Sequence, residues 1–168
     1  MTVNEEQKYA SILDGVFYEN SWAFFINGLG STWKTYLHRA LLTNIRSKNL
    51  IALATASSGV RASILPGDRT AHSRLKIPIN ITNKLNCCIS KQSTLAKLLQ
   101  LTKLIIWDET AMVNKQAIEA LNEILQDINN NNLLFGGKVI VFGGDFRQVI
   151  PVVPRAEKEK IINASLVT

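Results

Sequence analysis

The chain has 168 residues, of which 46% are hydrophobic, and it carries 19 Lys or Arg against 13 Asp or Glu, a formal charge of +6. This composition is typical of a folded globular domain and excludes a disordered one. No apolar run approaches the roughly 20 residues of a membrane span, so no membrane association is expected, and residues 1–6 lack the pattern of a secretory signal. The basic excess suits a polyanionic partner such as nucleic acid, although many small basic domains bind none.

Short apolar runs alternate with helical patterns along the chain. A capping box at Asn4–Gln7 predicts a first helix that extends to about Val16. Apolar residues three or four apart predict further helices over residues 34–45, after Ser93 and after Asn114, with the serine and the asparagine as N-caps. Residues 56–90 are mostly polar and are expected to form loops with short helical turns. Runs typical of buried strands occupy residues 23–26, 50–54, 104–107 and 138–142.

Strands that are nearly all apolar and alternate with helices indicate an α/β fold. We expect a mostly parallel sheet with helices on both faces, in one domain over residues 1–168. Ligands bind at the carboxyl ends of the strands in such sheets. Polar residues gather at these ends in residues 28–35, at Thr55, at Asp108 and Glu109, and in residues 145–148.

Residues 28–35, Gly-Leu-Gly-Ser-Thr-Trp-Lys-Thr, follow a predicted strand and open a predicted helix. They match the P-loop pattern G-x-x-x-x-G-K-[ST] at every fixed position but one, where Trp33 replaces glycine. In a P-loop, Lys34 would meet the β- and γ-phosphates and the Thr35 hydroxyl would bind Mg²⁺. The indole is expected to crowd the nucleotide, so a strand–turn–helix that only looks like a P-loop is the alternative. The predicted phosphate-binding residues are Gly28, Gly30, Ser31, Thr32, Lys34 and Thr35.

Asp108 and Glu109 follow an apolar strand, which is the arrangement of a Walker B motif. Asp108 is expected to hold Mg²⁺, directly or through water, and Glu109 to polarise the attacking water. Taken alone, an exposed loop is the simpler explanation of such a pair. A P-loop and a Walker B motif on separate strands of one sheet rarely coincide by chance, so together they predict an ATP·Mg²⁺ site.

The set of motifs resembles the Pif-one helicases (petite integration frequency family), superfamily-one motors that move five-prime to three-prime on single-stranded DNA. It is most similar to the shorter helicase-like proteins of plants, invertebrates and Helitron-type transposons. The resembling segments run from Glu6 to about Pro154, and Gly143–Pro151 is the most specific of them. The others are Glu6–Gln7, Phe24–Thr35, Ala54–Gly59, Arg69–Ser73 and Leu104–Glu109.

The resemblance implies roles for individual residues. Gln7 is expected to read the adenine, and Gln148 to touch the γ-phosphate and report hydrolysis to the DNA site. For His72, a structural histidine bonded to a loop carbonyl is favoured over a DNA contact, and Trp22 and Trp107 are expected in the core rather than as stacking platforms. The implied catalytic residues are Lys34, Asp108, Glu109 and Gln148, and the candidates along the single-strand path are Thr55, Ser57, Ser58, Thr70 and His72.

The implied protein is an ATP-dependent DNA helicase and ATP hydrolase with ATP and Mg²⁺ as cofactors and single-stranded DNA as partner. Its expected roles are DNA repair, recombination and telomere maintenance, in the nucleus or alternatively the mitochondrion; the oligomeric state stays open. The sequence departs from the family pattern in two ways. Trp33 replaces a glycine, and the sequence stops where the family's second RecA-like domain, with its arginine finger, begins, so we expect a fragment that holds motor domain one.

The alternative is a catalytically inactive remnant that binds nucleic acid or a protein partner. A stand-alone P-loop kinase or GTPase is disfavoured because the sequence has no guanine-reading Asn-Lys-x-Asp pattern and such a protein would not explain the run at residues 143–148.

Overall fold

The computed structural model describes residues 3–27, 31–59, 69–77 and 89–145, and of residues 3–5, 31, 32 and 112 it describes the backbone alone. The described helices and strands alternate as the sequence predicts. The helices are α1 (Val3–Phe17), α2 (Ser31–Ser47), α3 (Ala71–Leu75), α4 (Thr94–Leu101) and α5 (Lys115–Asn129). The strands are β1 (Ala23–Asn27), β2 (Ile51–Ala56), β3 (Arg69–Thr70), β4 (Thr102–Asp108) and β5 (Val139–Gly144), and short 3₁₀ turns cover Thr110–Met112 and Leu134–Gly137.

The five strands form one parallel sheet in the order β1-β5-β4-β2-β3. Parallel strands require crossover connections, and in the described part of the chain α2 lies between β1 and β2, α3 and α4 between β3 and β4, and α5 between β4 and β5. The α/β fold with a parallel sheet is therefore confirmed. Within the described part of the chain no helix is long and apolar enough to cross a membrane.

Alternate residues of the central strands belong to two hydrophobic clusters, one on each face of the sheet. On one face, Leu104 and Ile106 of β4 pack with buried residues of α1 and α2. On the other face, Ile105 and Trp107 pack with buried residues of α3, α4 and α5. Because successive side chains of a strand point to opposite faces, an all-apolar strand is buried on both sides.

Two predicted helix caps are confirmed. The Ser93 side chain accepts a hydrogen bond from the Ala96 N–H at 3.1 Å, and the Asn114 side chain accepts one from the Gln116 N–H at 3.0 Å. The predicted cap at Asn4 is wrong in position, since α1 already begins at Val3 and Asn4 is a helical residue.

Two expectations near the ends of strands also need correction. Strand β2 extends through Ala56, so Thr55 lies inside the sheet, and β5 extends through Gly144. The two-residue strand β3, in a stretch expected to form loops and helical turns, pairs with the end of β2. Its polar residues, Arg69 and Thr70, give no apolar periodicity from which a strand could be predicted.

The two tryptophans expected in the core differ in their burial. Trp107 is fully buried, which confirms the prediction for that residue. Trp22 is 43% exposed and meets Phe24 edge-on, with ring centroids 5.7 Å apart. Its placement in the core is therefore wrong: it precedes β1, a strand at the edge of the described sheet, where one flank has no described strand beside it.

Candidate nucleotide and DNA site

The carboxyl ends of the central strands meet at one edge of the sheet. In the register of β1 and β5, Asn27 lies beside Gly144, and in that of β2 and β4, Ala56 lies beside Asp108. Trp107 pairs with Phe142, so Asp108 ends its strand next to Gly143. The P-loop sequence leaves this edge from β1, and α2 begins at Ser31.

The described part of the predicted phosphate loop is the first turn of α2. Ser31 and Thr32 are the first two residues of the helix, and Lys34 and Thr35 are half-buried within it. Gly28 and Gly30 lie outside the described residues.

Trp33 has an ordinary helical backbone, since it is not among the described residues with positive φ. Its partly buried side chain packs against the hydrophobic cluster shared by α1, α2 and the sheet. The indole therefore contacts the hydrophobic core. From the sequence we expected it to crowd the nucleotide phosphates and did not predict this contact. The backbone conformation at position 33 therefore does not require glycine. The P-loop pattern would need a glycine there only to leave space for the nucleotide.

Asp108 and Glu109 lie at the turn that leaves β4. Asp108 is 8% exposed, and its Oδ1 accepts a hydrogen bond from the Glu109 N–H at 3.0 Å. Glu109 has φ 58° and ψ 36°, in the left-handed region. A non-glycine residue in this region stores backbone strain, and such residues cluster at functional sites.

His38 also belongs to this site, and the sequence interpretation missed it. The side chain is fully buried, and neither ring nitrogen has a hydrogen-bond partner among the residues that the structure describes. Burial lowers the pKa of His38 to about 4, while the charge of Asp108 raises it in opposition and that of Lys34 lowers it further. His38 follows Lys34 by one helical turn, a spacing that places both on one face of α2 and could have drawn attention to it.

Gly143 leaves the space in which His38 and Asp108 approach each other. A Cβ at this position would lie 2.7 Å from Asp108 Oδ1 and 2.9 Å from the Cε1 of His38, closer than a carbon side chain tolerates. Asp108 therefore lies beside this buried imidazole, and Lys34 lies one helical turn before His38 on α2, so residues predicted from separate motifs lie at the same edge of the sheet.

The expected DNA-contacting residue Thr55 lies in the sheet. It is fully buried, and its hydroxyl donates a hydrogen bond to the Ile106 carbonyl at 3.1 Å. The expectation that its hydroxyl lies on the single-strand path is therefore not supported at this position. The neighbouring Ser57 and Ser58 are half-buried and lie after the end of β2, beside the Asp108–Glu109 turn.

Thr70 lies in β3, which pairs with β2 on the side away from β4, and His72 lies in α3, which follows β3. Thr70 is half-buried, and its backbone pairs with that of Ala56. His72, in α3, is half-buried too, and burial lowers its pKa. Both placements are compatible with the expected DNA path, and for His72 also with a structural role.

The remaining candidates are the two glutamines. Gln7 is exposed on α1, and its carbonyl accepts a hydrogen bond from the Ser11 hydroxyl at 2.9 Å. Gln148 lies outside the described residues.

The oxygen ligands expected to hold a metal ion fit Mg²⁺. Magnesium is usually bound by one or two protein oxygens together with substrate phosphates, rather than by a cage of protein ligands. A strand-end carboxylate at Asp108 and a hydroxyl at Thr35 are such a set. The described residues contain no group of three or more His, Cys, Asp or Glu that could hold a metal ion.

Comparison with known proteins places these motifs in a family. The sequence model of the PIF1-like helicases matches residues 1–168. The chain is 30% identical to the ATP-dependent DNA helicase Pif1 of Psychrobacter sp. (strain PRwf-1) over 138 residues, which are 81% of this chain and 21% of that protein. It is 32% identical to the ATP-dependent DNA helicase PIF1 of Candida albicans over 159 residues, 91% of this chain and 17% of that protein. The chain thus spans about a fifth of the length of these relatives.

Solved structures of Pif1 helicases share the fold. A structure of DNA unwinding at forked dsDNA by two coordinating Pif1 helicases superposes with a TM-score of 0.76 at 26% identity, over 97% of this chain and 38% of that one. A Bacteroides sp Pif1 in complex with ADP-AlF4 has a TM-score of 0.74 at 26% identity, over 96% of this chain and 36% of that one. A Bacteroides Pif1 bound to ssDNA has a TM-score of 0.71 at 24% identity, over 97% and 36% of the two chains, a likeness that concerns the fold alone.

Proposed function

Because the chain belongs to the PIF1-like helicase family, we propose that it is the nucleotide-binding motor domain of an ATP-dependent DNA helicase of the five-prime to three-prime type. The observation that supports this most is the packing of α2 at the carboxyl edge of a parallel sheet, where His38, one helical turn after Lys34, approaches Asp108. In a fold of this kind that edge is where ligands bind.

In the proposed reaction each residue of the site has one task. The Lys34 ammonium binds the β- and γ-phosphates, and Thr35 and Asp108 hold the metal ion. The metal ion, when bound, neutralises charge that develops on the phosphates. Glu109, the first residue after the end of β4, polarises the attacking water.

The proposed substrate and partner are based on the resemblance to the same family. We propose that ATP·Mg²⁺ is the nucleotide and that single-stranded DNA runs along the surface formed by residues 57–59 and 70–73. Small hydroxyl residues and backbone amides contact phosphates without reading bases. We also propose that residues 1–168 form a single RecA-like domain, and that the helicase acts in the nucleus in DNA repair, recombination and telomere maintenance.

A second candidate is a catalytically inactive remnant that still binds nucleic acid or a protein partner. Trp33 is the observation that favours it, because a large side chain replaces the P-loop glycine next to Lys34. The two candidates differ in one measurable property, the affinity of the chain for ATP·Mg²⁺.

Isothermal titration calorimetry with ATP·Mg²⁺ on the unmodified chain and the Trp33→Gly variant separates them. We expect weak or no binding by the unmodified chain and an affinity higher by about tenfold in the variant, equivalent to about 1.4 kcal/mol. The same substitution is expected to lower the free energy of unfolding by about 1 kcal/mol or more, because glycine is a poor helix former and the indole's core contacts are lost.

Lys34→Ala in the Trp33→Gly background tests the site itself, with Lys97→Ala, an exposed position on α4, as the matched control. We expect Lys34→Ala to abolish the binding and Lys97→Ala to leave it unchanged. If Lys34→Ala has no effect, the proposed nucleotide site is wrong. Tight binding by the unmodified chain that Trp33→Gly does not alter would show that the indole leaves the phosphate loop functional.

A further inference from the structure

Two serines join the segment after β2 to the turn after β4. Ser57 is held by several hydrogen bonds. Its N–H donates to the Asp108 carbonyl at 3.1 Å, its hydroxyl donates to the Glu109 carbonyl at 2.9 Å, and that hydroxyl oxygen accepts from Trp107 Nε1 at 3.1 Å. All these partners belong to the end of β4 or the residue that follows it. Ser57 therefore anchors the segment and keeps its neighbour at a fixed place beside Glu109.

Ser58 makes a different kind of contact. Its hydroxyl donates a hydrogen bond to the Oε2 atom of the Glu109 carboxylate at 2.8 Å. This is a bond between two half-buried side chains, and the acceptor carboxylate is the one assigned to polarise the attacking water. A bond from a hydroxyl to a carboxylate is charge-assisted and holds the carboxylate in a defined direction.

A serine hydroxyl has a single proton to donate. While Ser58 donates it to Glu109, the same proton is not available to a phosphate of DNA at residues 57–59. A phosphate placed there also meets the negative charge of Glu109. The Ser58–Glu109 hydrogen bond and a Ser58–phosphate hydrogen bond are therefore competing states of one hydroxyl.

We propose that Ser58 is a positioning residue for Glu109, whose hydroxyl passes from the Glu109 carboxylate to a backbone phosphate when single-stranded DNA binds. In the DNA-free state this hydrogen bond holds the carboxylate toward β2, and DNA binding breaks it. This inference rests on the proposed function, because it requires that DNA passes over residues 57–59. It also gives a reason why Ser57 anchors the segment while the Ser58 hydroxyl makes a bond that can be exchanged.

A double-mutant cycle on DNA affinity tests the exchange without any need for hydrolysis. Fluorescence anisotropy with a labelled thymidine oligonucleotide is measured for the unmodified chain, Ser58→Ala, Glu109→Ala and the double variant. We expect weak binding by the unmodified chain, without sequence preference and strongly dependent on salt. Glu109→Ala is expected to tighten it by about fivefold or more when Ser58 is present, and by about twofold or less when position 58 is alanine.

An isosteric pair separates the hydroxyl from the packing of the side chain. Ser58→Thr keeps the hydroxyl and is expected to keep the large effect of Glu109→Ala, whereas Ser58→Val, of nearly the same shape, is expected to lose it. An equal effect of Glu109→Ala in all four backgrounds indicates simple charge repulsion and overturns the inference. Failure of every variant to bind single-stranded DNA, with a native circular dichroism spectrum, overturns the proposed DNA interaction itself and the inference with it.

Discussion

The buried imidazole of His38 lowers the stability of the folded protein. It is completely buried, and its ring nitrogens have no hydrogen-bond partner in the described part of the chain. Leaving a buried polar group without a partner costs about 1–3 kcal/mol. A polar side chain held in this way beside Asp108 suggests that its position is kept for the site rather than for stability.

The substitution His38→Leu is therefore expected to raise the free energy of unfolding, by about 1–2 kcal/mol. Leucine has a similar volume and brings no polar atom into the cluster between α2 and the sheet. Urea denaturation at neutral pH measures the change, and His72→Leu, at a half-buried position on α3, is the control for which no gain is expected. A loss of stability in His38→Leu would mean that the ring nitrogens are satisfied in the native protein.

At the scale of helices and strands, Lys138 joins elements that are far apart in sequence. Its ammonium donates hydrogen bonds to the carbonyls of Gln100 and Thr102, each at 3.0 Å, and so links the start of β5 to the junction of α4 and β4. The residue is 6% exposed, and burial, with a smaller contribution from the charge of Lys103, lowers the pKa of Lys138 to about 8.

The lowered pKa of Lys138 predicts a pH dependence of stability. Between about pH 8 and the ordinary value of 10.5, the unfolded chain holds a proton that the folded chain has released. The contribution of this group to stability therefore rises with pH through that window, and below about pH 8 its full penalty is present. We expect the unmodified chain to gain about 1–2 kcal/mol relative to Lys138→Met between pH 7 and pH 10.

Urea midpoints of both proteins at pH 7, 8.5 and 10 measure this gain, and Lys97→Met controls for the loss of an exposed lysine. A difference between the unmodified chain and Lys138→Met that stays constant with pH would show that burial does not disfavour the charged amine.

Local sequence predicted the elements whose signals are local. The caps at Ser93 and Asn114 are properties of a few neighbouring residues, and the apolar run at residues 104–107 is buried on both sides of the sheet, as such runs usually are. Thr55 and Trp22 were misplaced because their burial depends on distant partners: Thr55 donates to Ile106, and Trp22 precedes a strand at the edge of the described sheet.

Part of the candidate site could not be predicted from the sequence either. The motifs identified Lys34 and Asp108, because each has a fixed position relative to its strand. His38 and Gly143 come together only when α2 packs on the sheet beside β4 and β5, and no spacing within the chain reveals that contact. The Ser58–Glu109 hydrogen bond joins residues 51 apart in sequence, so only the pairing of β2 with β4 brings it about.

At the scale of the whole molecule, the described residues form one parallel sheet with the proposed nucleotide site at its carboxyl edge. We expect this polypeptide alone to show no unwinding of a tailed duplex, even with Trp33→Gly. Helicases of this type hydrolyse ATP between two RecA-like domains, and an arginine from the second is worth about 10³–10⁵ in rate. Stepping along DNA also requires two gripping surfaces that move relative to each other.

A fluorescence assay of duplex unwinding tests this expectation. Addition of the second RecA-like domain of a close relative to the Trp33→Gly form is expected to restore DNA-stimulated hydrolysis. If the Trp33→Gly chain unwinds the duplex unaided, unwinding does not require the second RecA-like domain.

The strand order has a consequence for how the chain folds during synthesis. Strand β1 pairs with β5, whose Ile140 lies opposite Ala23, about 117 residues later in the sequence. At roughly 5–20 residues per second, a ribosome takes on the order of ten seconds to produce that partner. Until then β1, which leads into the phosphate-loop sequence, has none of the described strands beside it, whereas β2 and β4 can already pair. The proposed nucleotide site is thus completed only when β5 has been translated, and a nascent chain stalled before β5 presents β1, an apolar segment with which no other described strand pairs, to chaperones and to other nascent chains.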